Sequence, residues 1–228
     1  MRVAAGRSVA KFCKLTVVGL LGIVVMSGAA VPASSGDLDR AVIADSTTAD
    51  TLAAAPIVLD SARAESELPA TEVRQALERY LGRYNDDRLL VRRISRAVLR
   101  ESRRQQVPPS LIAGVLLTEN TTLRPDAESQ VGAQGLMQVM PFHAGARPCN
   151  SVDLVDVDSN ICHGTLILAR NLRATSTSTA ALLRYNGCVR GTNTPDCRRY
   201  PDLVLARAGR VRQEMLARVL APVQLAQR

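Results

Sequence analysis

The sequence predicts an all-α domain over residues 71–228, and three observations predict it. Apolar residues recur at helical spacing through most of that region. Alternation long enough for a β-strand is nearly absent. The segment "LIAGVLLTEN", residues 111–120, is apolar around nearly its whole circumference, as suits a helix buried among others.

The elements follow in order. Val73, Leu77, Tyr80, Leu81 and Tyr84 share one helical face, and Leu90, Ile94, Ala97 and Val98 share a second. The second helix carries "RRISRAVLRESRR", whose arginines read as a solvated face, with a substrate-binding patch as the alternative. "VPPS" ends it, and Ser110 is placed to cap the buried helix that runs from Leu111 to about Asn120. Further helices are expected at residues 133–142, 158–173, 178–186 and within 203–220.

Ahead of this domain the chain reads as an export segment and a tether. Arg2, Arg7, Lys11 and Lys14 precede an uncharged run from Leu15 to Val31, then "PASSGD". A basic head, an apolar run and a small-residue exit make a secretory signal over residues 1–33, with cleavage expected after Ala33 or alternatively after Ala29. An uncleaved run would instead serve as a membrane tether, since it is nearly long enough to span a bilayer. Residues 34–70, rich in Ala, Ser, Thr and Asp without periodicity, read as a flexible linker. The expected location is exported, periplasmic or associated with the cell envelope. Of the 29 basic residues four lie in the signal, which leaves 25 arginines against 21 acids. That modest excess, in an exported chain, points away from nucleic acid as a partner.

Without Cys13 the cysteines are Cys149, Cys162, Cys188 and Cys197, an even count that reads as two disulfides. Pairing nearest neighbours is the simplest of three connectivities, and sequence leaves the other two open. A zinc site from His143, Cys149, Cys162 and His163 is the alternative, but no short Cys-x-x-Cys pair supports it, so no metal is expected.

Glu119 ends the buried helix. The negative end of the helix dipole and desolvation by Leu and Val both disfavour its anion, so it should stay protonated near neutral pH. A neutral carboxylic acid can hand a proton to a leaving oxygen. The segment that follows, "SQVGAQGLMQVMP", places Gly132, Ala133 and Gly135 where a chain can approach a ligand closely. Gln138 adds an amide that both donates and accepts. No Gly-Lys-Ser/Thr follows, which removes a phosphate-cradling loop.

Glu119, Pro125, Ala127, Ser129 and "GAQGLMQVMP" resemble the core motif of the family 1 lytic transglycosylases, E-S-x-F-x-P-x-A-x-S-x-x-G-A-x-G-L-M-Q-x-x-P. "SNICHGTLIL" is similar to that family's Asn-Ile-x-x-Gly helix, and "ALLRYNG" to its A-x-x-x-Y-N-G segment. The resemblance implies a lysozyme-like multi-helix catalytic domain of the goose-lysozyme type. It implies cleavage of the MurNAc-β-1,4-GlcNAc bond of peptidoglycan without water, leaving 1,6-anhydro-MurNAc, with one glutamate as acid and then base. Carried over by position, Glu119 is the acid/base and Tyr185 hydrogen-bonds that carboxyl or the adjacent substrate. Ser129, Met137 and Gln138 line sugar subsites, Gly135 and Leu136 hold the loop, and Asn186 supports Tyr185. The expected partner is a peptidoglycan glycan strand met by a monomer, with no cofactor. A muramidase hydrolysing the same bond and a non-catalytic peptidoglycan-binding protein of the same fold are the alternatives.

The chain also departs from the pattern. Asn120 stands where the family usually has Ser, Leu123 where it has an aromatic, and Pro125 lies six positions from Glu119 rather than five. Cys188 interrupts the usual glycine-rich tail after "YNG". Asp156, Asp158 and Asn160 open like a calcium loop, but Ile161 occupies its glycine position and Ile167 its glutamate position. A helix cap at Asp158 or Ser159 is the expected role there.

Overall fold

The computed structural model describes residues 63–188 and 197–226, with side chains to residue 219. These belong to the compact unit Asp45–Arg228. The expected signal and its cleavage site lie outside the described residues, as does residue stretch 34–62 of the expected linker. The described fold is all-α: its only β pairings are isolated bridges.

Helix α1, Ala70–Leu81, buries Val73, Ala76, Leu77, Tyr80 and Leu81. Helix α2, Arg88–Gln105, opens at Asp87, whose carboxylate accepts from the Leu89 and Leu90 N–H groups. It closes at Gln106, which sits in the left-handed region at φ 57°. Helix α3, Pro109–Glu119, is buried without a break from Pro109 to Leu117. Helices α4, Val157–Arg173, and α5, Ser178–Tyr185, follow a long irregular stretch, and α6, Tyr200–Ala226, ends the fold. Helix α3 packs most extensively on α6, α2 lies on α4, and α1 covers both α6 and α2. No helix among the described residues is long and apolar enough to cross a membrane.

Gly114 sets the closest approach in this core. A Cβ there would lie 2.7 Å from the Val204 carbonyl and 3.0 Å from Ala208, so α3 and α6 come closer than any side chain would allow. Contrary to the expectation from sequence, Ser110 does not cap α3. Pro109 already occupies the first helical position, and the free N-terminal donors are met from outside. Ser110 N–H and Oγ–H both donate to the Glu65 carboxylate, at 3.1 and 2.7 Å. Glu65, within the stretch read as linker, is thus buried and bound to the core.

The helix expected at residues 133–142 does not form. Gly132, Gly135 and Gln138 have φ of 82°, 77° and 49°, which no α-helix accommodates, and only a 3-10 turn at Pro141–His143 remains. The cap of α4 is Asp156, whose carboxylate accepts from Ser159 N–H, rather than Asp158 or Ser159. Asp158 instead receives Arg93 and Arg100. Disulfides join Cys149 to Cys162 and Cys188 to Cys197, the nearest-neighbour connectivity. The first bridge uses both cysteines that a zinc site would have needed.

Candidate active site

Glu119 is half-buried at the C-terminal end of α3. Burial is the largest influence on its carboxyl and pushes the pKa up to about 7. One group opposes the shift: Tyr200 Oη–H donates to Glu119 Oε1 at 2.5 Å. Among the described residues no charged group contributes to its titration. The tyrosine reaches this carboxyl because α6 runs back along α3. With Gly114 against Val204 and Ala208, the start of α6 falls beside the end of α3. Arg207, two turns further along α6, donates to the Leu117 carbonyl at 2.8 Å and satisfies one of the last acceptors of α3.

Tyr185 lies in the same cluster. Its phenol is held well above its usual range by burial first and by the Glu119 charge second, and Tyr200 is raised by the same two causes in that order. Tyr185 does not hydrogen-bond Glu119, however. It donates to the Met137 carbonyl at 2.9 Å and so clamps α5 onto the loop. The Cys188–Cys197 bridge joins the chain just after Tyr185 to the chain just before Tyr200. Asn186 caps α5 through its backbone, and no hydrogen bond links its side chain to Tyr185.

The loop after α3 is held by two asparagines. Asn120, buried at the helix end, accepts from Arg124 N–H at 3.1 Å and donates to the carbonyls of Arg124 at 2.7 Å and Gly135 at 3.3 Å. A serine could not make all three bonds, which gives a local reason for Asn120 in this chain. Asn160 on α4 is wholly buried and does more. Its Oδ1 accepts from Met137 N–H at 2.7 Å, and its Nδ2 donates to the carbonyls of Gln134 at 2.8 Å and Leu154 at 2.7 Å. A Cβ on Gly135 would lie 2.3 Å from that Nδ2, so only glycine lets the amide in. Gly164, one turn along α4, likewise leaves room for Met137, whose Sδ would lie 2.6 Å from an added Cβ.

The remaining expected residues divide by exposure. Leu136 and Met137 are wholly buried, so Met137 packs into the core instead of lining a subsite. Ser129 is half-buried, and its Oγ accepts from Ala133 N–H at 3.0 Å, closing a turn. Gln138 is half-buried too; its Nε2 donates to the Gly135 carbonyl at 2.9 Å, which leaves Oε1 free to accept. The structure therefore gathers Glu119, Tyr185 and Tyr200, with the Gly135–Gln138 loop pinned beside them through Asn120, Asn160 and Tyr185. Sequence reasoning placed the last helix from residue 203 and so missed Tyr200. The available signal was a scarce aromatic at a helix start, three residues after a cysteine. Among the described residues no group of three or more His, Cys, Asp or Glu could hold a metal ion.

A family model described as the transglycosylase SLT domain matches residues 96–195, which include Glu119, the loop, Asn160 and Tyr185. A "Transglycosylase" of Enterobacteria phage PRD1 is 39% identical over 92 residues, covering 40% of this chain. The chain spans about a third of that relative's length, 32%. Residues 96–195 are thus similar to the transglycosylase SLT domain, both in the ordered motif residues and in the helices that carry them.

Proposed function

We propose that this domain is an exported peptidoglycan lytic transglycosylase that cleaves the MurNAc-β-1,4-GlcNAc bond with Glu119 as acid and then base. The observation that carries this reading is a single carboxyl held near pKa 7, with no second carboxylate among the described residues contributing to its electrostatics. A hydrolase of the usual kind needs a partner carboxylate as nucleophile or as base for water. An intramolecular attack needs only one group that gives a proton and takes one back.

The steps follow from that group. Protonated Glu119 passes its proton to the glycosidic oxygen, the bond from that oxygen to the anomeric carbon breaks, and GlcNAc leaves as an alcohol. Positive charge develops on the MurNAc ring, where the N-acetyl carbonyl can share it. The Glu119 carboxylate then accepts the proton of the same sugar's 6-hydroxyl, whose oxygen bonds to the anomeric carbon. No water is consumed, and the enzyme ends protonated as it began.

Tyr200 sets the balance between the two roles. Its phenol bonds Oε1, so the proton to be transferred sits on Oε2. When Glu119 is ionised the bond becomes charge-assisted and stabilises the carboxylate. That is why Tyr200 lowers a pKa that burial raises. Tyr185, bonded to the loop carbonyl, orients the segment that carries Gln138. Mass spectrometry of the muropeptides tests the reading. It predicts ends lighter by one water than a hydrolytic product; ends of full mass mean a muramidase, and wall binding with no released fragments means a binding protein.

A further inference from the structure

Helix α2 carries seven arginines against one glutamate. Arg93 pairs with Asp156 and Asp158, and Arg100 with Asp158 and Glu101. Arg104 donates to the Pro148 carbonyl at 3.2 Å. Arg88, Arg92, Arg96 and Arg103 remain exposed, and no carboxylate among the described residues pairs with them. At about 100° per residue these four fall within about 80° of one another, and they span about 22 Å of helix. They line adjoining shallow basins, floored in part by Val91 and Leu99. Two acids, Glu78 and Asp86, border the first basin, and Glu78 is already paired with Arg74.

The face also has a direction. Helices α2 and α3 are joined by a short turn and run back to back, so the start of α2 lies near the end of α3. Asn85 Nδ2 donates to the Thr122 carbonyl, three residues past Glu119, at 3.0 Å. The arginine row thus begins beside the Glu119 end of the fold and runs away from it.

We propose that this row is a second binding surface for peptidoglycan, one that takes the free carboxylates of its stem peptides. The proposal rests on the transglycosylase reading and extends it from the sugar to the peptide. Guanidinium forks match carboxylates in two-point contact. Spaced single charges suit a polymer that presents carboxylates at intervals, because exposed pairs are individually weak and gain by acting together. A bilayer is the poorer fit. Leu89, 75% exposed, is the one large apolar side chain on α2 with anything to insert.

The test uses the full chain with Arg88, Arg92, Arg96 and Arg103 all changed to Gln, and a second variant with only Arg96→Gln and Arg103→Gln. Turnover is measured on intact sacculi and on glycan strands stripped of stems by an amidase, with the lactyl carboxylates so freed capped as neutral methylamides. For the fourfold variant the ratio of intact to stripped turnover falls about tenfold, and for the pair by an intermediate factor. Sacculus binding by the same variants in a Glu119→Gln background falls in parallel and weakens steeply with salt. An unchanged ratio overturns the proposal, as does loss of binding to anionic phospholipid vesicles with sacculus binding intact. If the unaltered chain fails on stripped strands and intact sacculi alike, the transglycosylase reading fails instead.

Discussion

A carboxyl lies at each pole of helix α3, and the two differ in their company. Glu65, from the segment before α1, sits at the N-terminal pole and is 3% exposed. Glu119 belongs to the C-terminal pole and is half-buried. Burial raises the pKa of both and is the largest cause in each case. At Glu65 that push is opposed by the Ser110 hydroxyl, the Ser110 N–H and Arg212. The helix dipole there also favours an anion. At Glu119 the dipole has the wrong sign, and only Tyr200 opposes burial. A glutamate carboxyl is therefore a structural tie at one end of α3 and, in the proposed function, a proton donor at the other. Three groups oppose burial at the first pole and one at the second.

Exchanging Glu119 for its neutral isostere breaks this comparison most sharply. Glu119→Gln should lower turnover of sacculi by about a thousandfold or more, the scale expected when a group acts in every proton transfer. Its stability should not fall. A carboxyl whose folded pKa of about 7 exceeds its ordinary 4.5 stabilises the fold below 4.5, and this contribution is lost as pH rises through 7. Above that pH the Gln variant should be the more stable by about 1–3 kcal/mol in urea melts. A variant that is less stable at pH 8 contradicts the assignment.

Asn160→Ala should give the next largest effect, this time on the fold around the site. It strands the Met137 N–H and the Gln134 and Leu154 carbonyls, each at about 1–3 kcal/mol. Denaturant melts should show a loss of about 3 kcal/mol or more, with turnover reduced because the loop is no longer fixed. Glu65→Ala should cost about 2–3 kcal/mol through the lost cap and its hydrogen bonds. It should leave the alkaline limb of the pH–rate profile where it was. A shifted limb would mean that the two poles are coupled.

The smallest effect sharpens the comparison most. Tyr200→Phe removes the one group that lowers the Glu119 pKa, so the alkaline limb should move upward by about half a unit to one unit, with a modest loss of turnover. A downward move would mean that Tyr200 acts on the protonated form instead.

Much of this was legible in the sequence, and the parts that were not have common causes. The faces of α1 and α2 follow from helical spacing, and the uninterrupted apolar surface of α3 forecast its burial and the raised Glu119 carboxyl. The segment at 133–142 has helical-looking apolar spacing, but its backbone groups are claimed by Asn160, a residue on another helix. Ser110 looked like a cap because the competing carboxylate, Glu65, lies 45 positions away and only folding brings it in. Tyr200 was invisible for the same reason: its contact with Glu119 spans 81 positions and depends on the clearance at Gly114. Local pattern reported which faces are dry. It could not report which distant side chain completes a polar group's bonding.

The central claim concerns one proton, and a carbon-13 NMR titration of the glutamate side-chain carboxyls, with the resonance of Glu119 assigned by its absence from Glu119→Gln, measures it directly. The account predicts a midpoint for Glu119 near 7. A midpoint near the ordinary carboxylate value of about 4.5 would contradict it.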